Sequence, residues 1–416
     1  MILRRWYSVE QALTTRQIRL WRMAIYFYFG LSGFAMASWV AQTPNIRDSL
    51  GVSTAQMGWI IFGLSTGSII GLLCASRLIT RFGGRVIMLV GLGLSSTGLI
   101  TVGIGSSWFP HVLIVFGGLA LFGFGIGICD VSMNVEGTAI EQTVKKPILT
   151  SFHAVYSLGT FFGAMIGSVV NNLHVPIIMH LLVIAFTVFI LIIYFFRFIP
   201  GGSGQVKNED TNGTTAKESL SVWKEQRTFL LGIIVLGMAF AEGSAGDWLP
   251  LVIVDGYDKT AAAGSLMFSL FVATMTISRA VGDILLAKFG RVAILRISAI
   301  SAALGLMIVI FSGNYYAAAV GIVLWGFGSA YGFPIGLSAA GDNPHGVAAR
   351  VGAVTTVGYM AFLVGPPILG AIAESVGLLR SLIFVLIGVT VAGLLAQAAK
   401  PVTSDVKKIE ENTLEQ

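Results

Sequence analysis

The chain has 416 residues, of which 55% are hydrophobic and only 11% charged, with 51 glycines, a formal net charge of +6 and a mean hydropathy of +0.84. A soluble domain carries about 25% charged residues, so this chain cannot clothe a water-facing surface of its own size, which excludes a soluble multi-domain enzyme. Its two cysteines, Cys74 and Cys129, both sit in apolar runs and supply neither a disulfide framework nor a metal cluster.

In chain order, the first 19 residues hold Arg4, Arg5, Arg16 and Arg19 and no small-residue cleavage site, so they read as a cytoplasmic lead (1–19) rather than a removed signal peptide. Apolar stretches of about 20 residues are long enough to cross a bilayer as helices. They fall near 20–42, 55–77, 86–107, 112–136, 148–171 and 176–199. A stretch rich in Gly, Ser, Thr, Asn and charge, 200–227, reads as a cytoplasmic linker. Spans resume near 228–254, 261–287, 292–312, 315–340, 350–374 and 378–399, and 400–416 form a tail. A β-barrel needs alternating polarity, which runs such as Ile177–Phe196 lack. The expected fold is an all-α membrane protein with twelve transmembrane helices in two six-helix bundles, 20–199 and 228–399.

Charge sets the orientation. Of the 26 Lys and Arg, only Arg47, Lys259 and Arg380 fall in loops on the side away from the termini, and only Arg279 lies well inside a span. By the positive-inside rule both termini are cytoplasmic, so the pI of about 9.3 reports topology and not nucleic-acid affinity. The halves also echo each other. Ser38-Trp39 matches Asp247-Trp248, Arg81-Phe82-Gly83 matches Lys288-Phe289-Gly290, and Gly123-Phe124-Gly125 matches Gly326-Phe327-Gly328, in the same order. That is the signature of a duplicated unit, and parallel six-helix repeats are one known transporter plan.

Twelve spans in six-plus-six form, with RFGGR after the second and KFGR after the eighth, resemble the major facilitator superfamily over nearly the whole chain. The family's loop motif reads roughly G-x-L-x-D-R-x-G-R-R. Here Ser76 replaces the first Gly and Thr80 the Asp, while Arg81, Gly83 and Arg85 remain as gating or structural candidates. The segments ASWVAQTPNIRDSLGVS, FGLSTGSIIG, MNVEG, EGSAGDW and GYMAFLVGPPILG resemble the fucose-permease-like branch and its YbjJ-type members, which implies a bacterial inner-membrane transporter.

An ionisable group inside a membrane helix costs at least about 2.5–3.5 kcal/mol on insertion scales, which makes each one a functional candidate. Asp130 lies four residues before Asn134, on one helical face. In the resembled branch an acid at that spacing carries the coupled proton; a structural hydrogen bond is the alternative. His153, in the fifth span, suits a proton relay or a solute contact, and also a packed histidine. Glu242 and Asp247 point about 140° apart on a helix and are not expected to share a site, with Gly243 and Gly246 expected to loosen the turn. Trp39 and Trp248, in matching places, can stack on a ligand or anchor at the interface. Arg279 and Asp283 can pair four apart, and Arg279 would be the contact for an anionic solute. Glu136 suits gating or packing, Asp342 reads as a turn residue, and Pro366 and Pro367 should kink the eleventh span.

The sequence contains no GxxxxGK[ST] or HExxH motif, and its one GxSxG match, GLSTG at 63–67, lies inside an apolar span rather than on a strand-to-helix turn, so neither ATP-driven transport nor common hydrolase chemistry is indicated. The expected activity is proton-coupled symport of a small polar solute, a sugar or related metabolite, without a cofactor and with the proton gradient as energy source. A monomer in the lipid bilayer is expected, with no nucleic-acid partner. Asp130 and His153 would couple the proton, and Asn134, His153, Trp39, Asp247, Trp248 and Arg279 would line the solute site. The alternatives are a drug/proton antiporter and a transporter-like sensor. The fifth span, SLGTFFGAMIGS, lacks the Gly-Pro signature typical of drug–proton antiporters.

Overall fold

The chain folds into helices α1 (Thr15–Ala41), α2 (Thr43–Leu50), α3 (Thr54–Phe82), α4 (Gly84–Ser107), α5 (Val112–Val144), α6 (Leu149–Asn172) and α7 (Ile177–Phe196). After the linker come α8 (Gln226–Tyr257), α9 (Ala261–Ala280), α10 (Gly282–Phe311), α11 (Tyr315–Ser329), α12 (Gly332–Ala340), α13 (Val347–Val376) and α14 (Leu378–Leu394). The computed structural model describes residues 13–145, 148–202, 222–342 and 346–401, without the side chains of Trp223, Asp283 and Ala348. The lead, linker and tail therefore lie largely outside the described residues. α11 and α12 are two pieces of one span, and the short α2 lies between spans, leaving twelve helical spans of membrane length among the described residues.

Helices start where side chains cap them. Thr14 and Ser53 open α1 and α3 with capping boxes to Gln17 and Gln56, and Thr260 and Asn314 accept backbone N–H groups at the starts of α9 and α11. Gly83 and Gly290, the glycines of the two matched loop motifs, share one backbone conformation, with φ of 83° and 75° and ψ of 148° and 164°. Both turn the chain sharply into the next span at a φ that only glycine adopts without strain.

α1 and α3–α7 form one six-helix bundle, and α8–α14 supply the six spans of the other. Without a hydrophobic force between helices in lipid, small residues drive close packing. A Cβ on Gly98 would lie 2.6 Å from the carbonyl oxygen of Gly118, and one on Gly305 would lie 2.4 Å from that of Gly321. Counted along the repeat these are the same contact, α4 on α5 and α10 on α11. The duplication in sequence is thus a duplication of backbone-to-backbone packing.

One local expectation changes. α8 continues unbroken through Gly243 and Gly246, because Gly243 makes room for the ring of Phe362 rather than loosening the turn. α13 runs helically through Pro366 and Pro367 to Val376. The eighth span is irregular at Val281 and resumes as helix from Gly282 to the Gly290 turn.

Candidate functional site

The terminal face carries residues 13 and 401; the far face is opposite. On the N-terminal bundle, α5 and α6 bring three polar side chains together in the half nearer the terminal face, with His153 in the second turn of α6. Asn134 Nδ2 donates to the backbone carbonyl of Asp130 at 2.9 Å and approaches its Oδ1 at 3.4 Å. Its Oδ1 faces His153 Nε2 at 3.0 Å. A carbonyl only accepts, so the amide orientation is fixed, and Asn134 Oδ1 then requires the imidazole proton on Nε2. The result is a continuous chain from the Asp130 carboxyl through an amide to a titratable ring. The edge of that ring pairs with Phe29, centroids 5.1 Å apart.

The C-terminal bundle answers with an ion pair. Arg279 Nη2 donates to Glu242 Oε1 at 2.9 Å and Oε2 at 3.0 Å. Its Nε donates to the carbonyl of Ala330 at 3.3 Å. That carbonyl is free because its helical donor would be the nitrogen of residue 334, which is Pro334 and has no N–H. The tenth span accordingly breaks at Ala330–Tyr331, between α11 and α12, and Arg279 satisfies the exposed acceptor. Non-helical backbone at membrane depth is tolerated where protein groups satisfy it in this way.

The expected Arg279–Asp283 pair lies outside the described residues, which do not include the Asp283 side chain. The partner of Arg279, Glu242, comes from another helix, 37 residues away.

The two constellations face each other across the interface between bundles. Arg279 acts electrostatically on His153, and the phenol of Tyr156 lies within electrostatic reach of Asp130, Glu242 and Arg279 together. Tyr359, on α13, lies within reach of Asp130. His153 and Arg279 are exposed, while Asp130, Asn134 and Glu242 are half-buried.

Hydrogen bonds and ion pairs that cross between the bundles gather in the far half. Arg47 pairs with Asp255. Asn171 Nδ2 donates to Ser265 Oγ at 3.1 Å and to the Ala41 carbonyl at 2.9 Å, and Ser265 donates to the same carbonyl at 3.1 Å. Ser168 donates to the Ala262 carbonyl at 2.8 Å, and the Ala55 N–H to Glu374 Oε2 at 3.1 Å. Ser65 Oγ donates to the Phe362 carbonyl at 2.8 Å. Pro366 releases that carbonyl as Pro334 releases Ala330, so the paired prolines supply an acceptor at the seam. A Cβ on Gly58 would lie 2.6 Å from the Pro366 carbonyl, which shows how closely α3 and α13 meet.

The other expected residues stand apart. Asp247 is half-buried further toward the far face of α8 and makes no hydrogen bond or ion pair among the described residues. Trp39 and Trp248 are 1% and 0% exposed, packed in the core beneath the closed far half. Glu136 is fully buried near the terminal face, accepting from Trp21 Nε1 at 3.1 Å and lying against Gly84. Arg85 stacks on Phe196 at 4.0 Å, and Arg81 lies over its own neighbour Phe82.

Asp342 is no simple turn residue. It accepts from Arg291 Nη1 at 2.6 Å and Arg227 Nη2 at 2.7 Å, tying α10 and α8 together at the terminal face. Burial opposes its ionisation, but the two guanidiniums prevail and hold its carboxyl below the usual range. The expected basic cluster after the second span of each half was the signal; the acid it meets lies 51 residues further on.

The chain belongs to the Major Facilitator Superfamily, whose family model matches residues 23–360. Members of this family are transporters, not enzymes, and work without cofactors. Its relatives include an uncharacterised MFS-type transporter of Yersinia pestis, 26% identical over 83% of this chain and 87% of that one. The membrane protein MosC of Rhizobium meliloti is 26% identical over 89% and 88% of the two chains. The 2-nitroimidazole transporter of Escherichia coli is 26% identical over 80% and 83%. Among solved structures, a variant of the nucleoside transporter NupG superposes with a TM-score of 0.76 at 12% identity, covering 91% of this chain and 99% of that one. The transporter FucP in its outward conformation gives 0.64 at 13% identity over 91% and 98%. A bacterial homologue of the lysosomal transporter Spinster, facing inward, gives 0.69 at 10% identity over 93% and 98%. At these identities the superpositions speak for the fold alone.

Proposed function

We propose that the chain is a proton-coupled symporter of a small, polar, uncharged solute, a sugar or a related metabolite, working by alternating access in the bacterial inner membrane. The observation that carries the reading is the Asp130–Asn134–His153 chain facing the Arg279–Glu242 pair across the seam between bundles. Asp130 is the proton carrier, and Asn134 links its charge state to His153 and to the solute. Arg279 is already neutralised by a bidentate carboxylate. It therefore offers no free cation for an anionic solute, and the anion option considered for Arg279 loses its ground. Hydroxyl-rich solutes match the remaining amide, imidazole and phenol groups.

With the basic terminal face in the cytoplasm, the closed far half seals the site from outside and the cavity opens inward. One chain holds both halves of the site, so a monomer suffices. A second reading, drug/proton antiport, draws support from the relative named as a 2-nitroimidazole transporter.

Direction separates the two. In proteoliposomes with an outward-acidic gradient, the symporter accumulates labelled solute and an antiporter excludes it. Asp130→Asn should abolish gradient-driven accumulation while sparing counterflow exchange. Undiminished gradient-driven uptake in that variant would end the assignment of Asp130.

A further inference from the structure

A second site lies on the lipid-facing perimeter, away from the seam. Between α10 and α14, near the terminal face, is a cavity of about 360 Å³ lined by Arg296, Ala299, Ala303, Thr390, Gly393 and Leu394. That volume falls in the range of about 300–1,000 Å³ typical of small-molecule sites. Its walls on α10 follow helical spacing (296, 299, 303), one stripe facing the neighbouring helix. Gly393 lets α14 approach Ala299 closely, since a Cβ there would lie 2.8 Å from that of Ala299. The small side chains of Ala303 and Thr390 leave space above this contact. Ile297, Ile300 and Leu394 flank the groove and are 48%, 59% and 76% exposed, as expected of a surface facing acyl chains.

The groove has one charge. Arg296 sits six residues past the Gly290 turn, about 9 Å along the helix. It is exposed and makes no hydrogen bond or ion pair among the described residues. The residue at the same distance from Gly83 in the N-terminal repeat is Leu89, so the duplicated fold does not require a cation here. A guanidinium inside a span is costly unless it meets an anion or reaches the headgroups.

We propose that this groove binds one anionic glycerophospholipid of the leaflet at the terminal face. Its phosphate takes the Arg296 guanidinium through paired hydrogen bonds, and one acyl chain lies along Ala299 and Ala303. The planar fork of arginine matches phosphate oxygens, and basic pockets between membrane helices on the cytoplasmic side bind anionic headgroups. The site is independent of the transport reading.

The test uses the full-length protein purified in a neutral detergent. It is titrated with phosphatidylglycerol or phosphatidylcholine of identical chains and read by native mass spectrometry and thermal stability. The wild type should retain phosphatidylglycerol at least about threefold better than phosphatidylcholine. Arg296→Gln should equalise the two, and Ala303→Phe, which fills the groove but keeps the arginine, should lower retention of both. If Arg296→Gln proves too unstable to purify, Ala303→Phe decides alone: unchanged phosphatidylglycerol retention overturns the site. Equal retention of both lipids by the wild type overturns it as well. So does efficient cross-linking of two chains through Ile300→Cys in a background with Cys74 and Cys129 replaced, which would make the occupant a second copy.

Discussion

Ser65 offers a measurable handle on how the far half is held shut. Its hydroxyl donates at 2.8 Å to the Phe362 carbonyl, whose own helical donor is missing because residue 366 is proline. Replacing Ser65 by Ala leaves that carbonyl without a protein donor only while the bundles are closed there. A net hydrogen bond contributes about 0.5–1.5 kcal/mol, and a stranded buried acceptor costs about 1–3 kcal/mol. Ser65 is half-buried, so the lower end applies. About 1 kcal/mol converts to roughly a fivefold shift of population toward the far-open form, since each 1.4 kcal/mol is about tenfold. The assay is a spin-label distance distribution between cysteines placed at Ser49 and Lys259, with Cys74 and Cys129 replaced. Ser65→Ala should enlarge the long-distance population. Pro366→Ala returns an N–H to the Phe362 carbonyl from its own helix, so in that background the effect of Ser65→Ala should shrink to less than about twofold. An equal shift in both backgrounds, or none in the first, refutes the argument that proline makes this acceptor available.

Three further outcomes follow from the same geometry. Glu242→Gln frees Arg279, so binding of small carboxylates should appear in thermal-shift titrations while uptake of the neutral solute falls by an order of magnitude or more; unchanged solute charge preference contradicts the neutralised-pair argument. Gly98→Ala and Gly305→Ala should each cost roughly 1–3 kcal/mol by overpacking, whereas Gly93→Ala, whose nearest neighbour would be 3.9 Å away, should leave the melting temperature unchanged. Because the Asp342 carboxyl is held below its ordinary value, its stabilisation is complete above about pH 4 and drains away as pH falls toward the depressed value. Asp342→Asn should be less stable at neutral pH and show a shallower acid limb in melting experiments.

The fold was legible because its causes are local or periodic: apolar runs of bilayer length, a charge bias between faces, and glycines recurring at matched places. Asp130, Asn134 and His153 were legible for a similar reason. Two of them sit one helical turn apart, and the third belongs to the next span. The Arg279–Glu242 pair was not, because its partners come from different helices, 37 residues apart in the chain. Pro334 did carry a signal for the broken tenth span, since its missing N–H strands the Ala330 carbonyl. Which side chain would satisfy it depended on tertiary packing. The far-half latch and the double pairing of Asp342 likewise depend on which helices lie side by side, which no single stretch of sequence encodes.

The paired glycine contacts have a mechanical consequence. Where Gly98 meets Gly118, and Gly305 meets Gly321, backbone rests on backbone with no side chain between. Such a joint has no rotamers to exchange and tolerates almost no sliding, so each bundle is stiff along its own α4–α5 or α10–α11 axis. The seam is built differently, from serine, asparagine and arginine side chains reaching across to carbonyls and carboxylates. Those groups can let go and re-form bonds with water at little cost. Compliance is thus concentrated at the surface between the two rigid halves, which is where a rocking motion has to be soft.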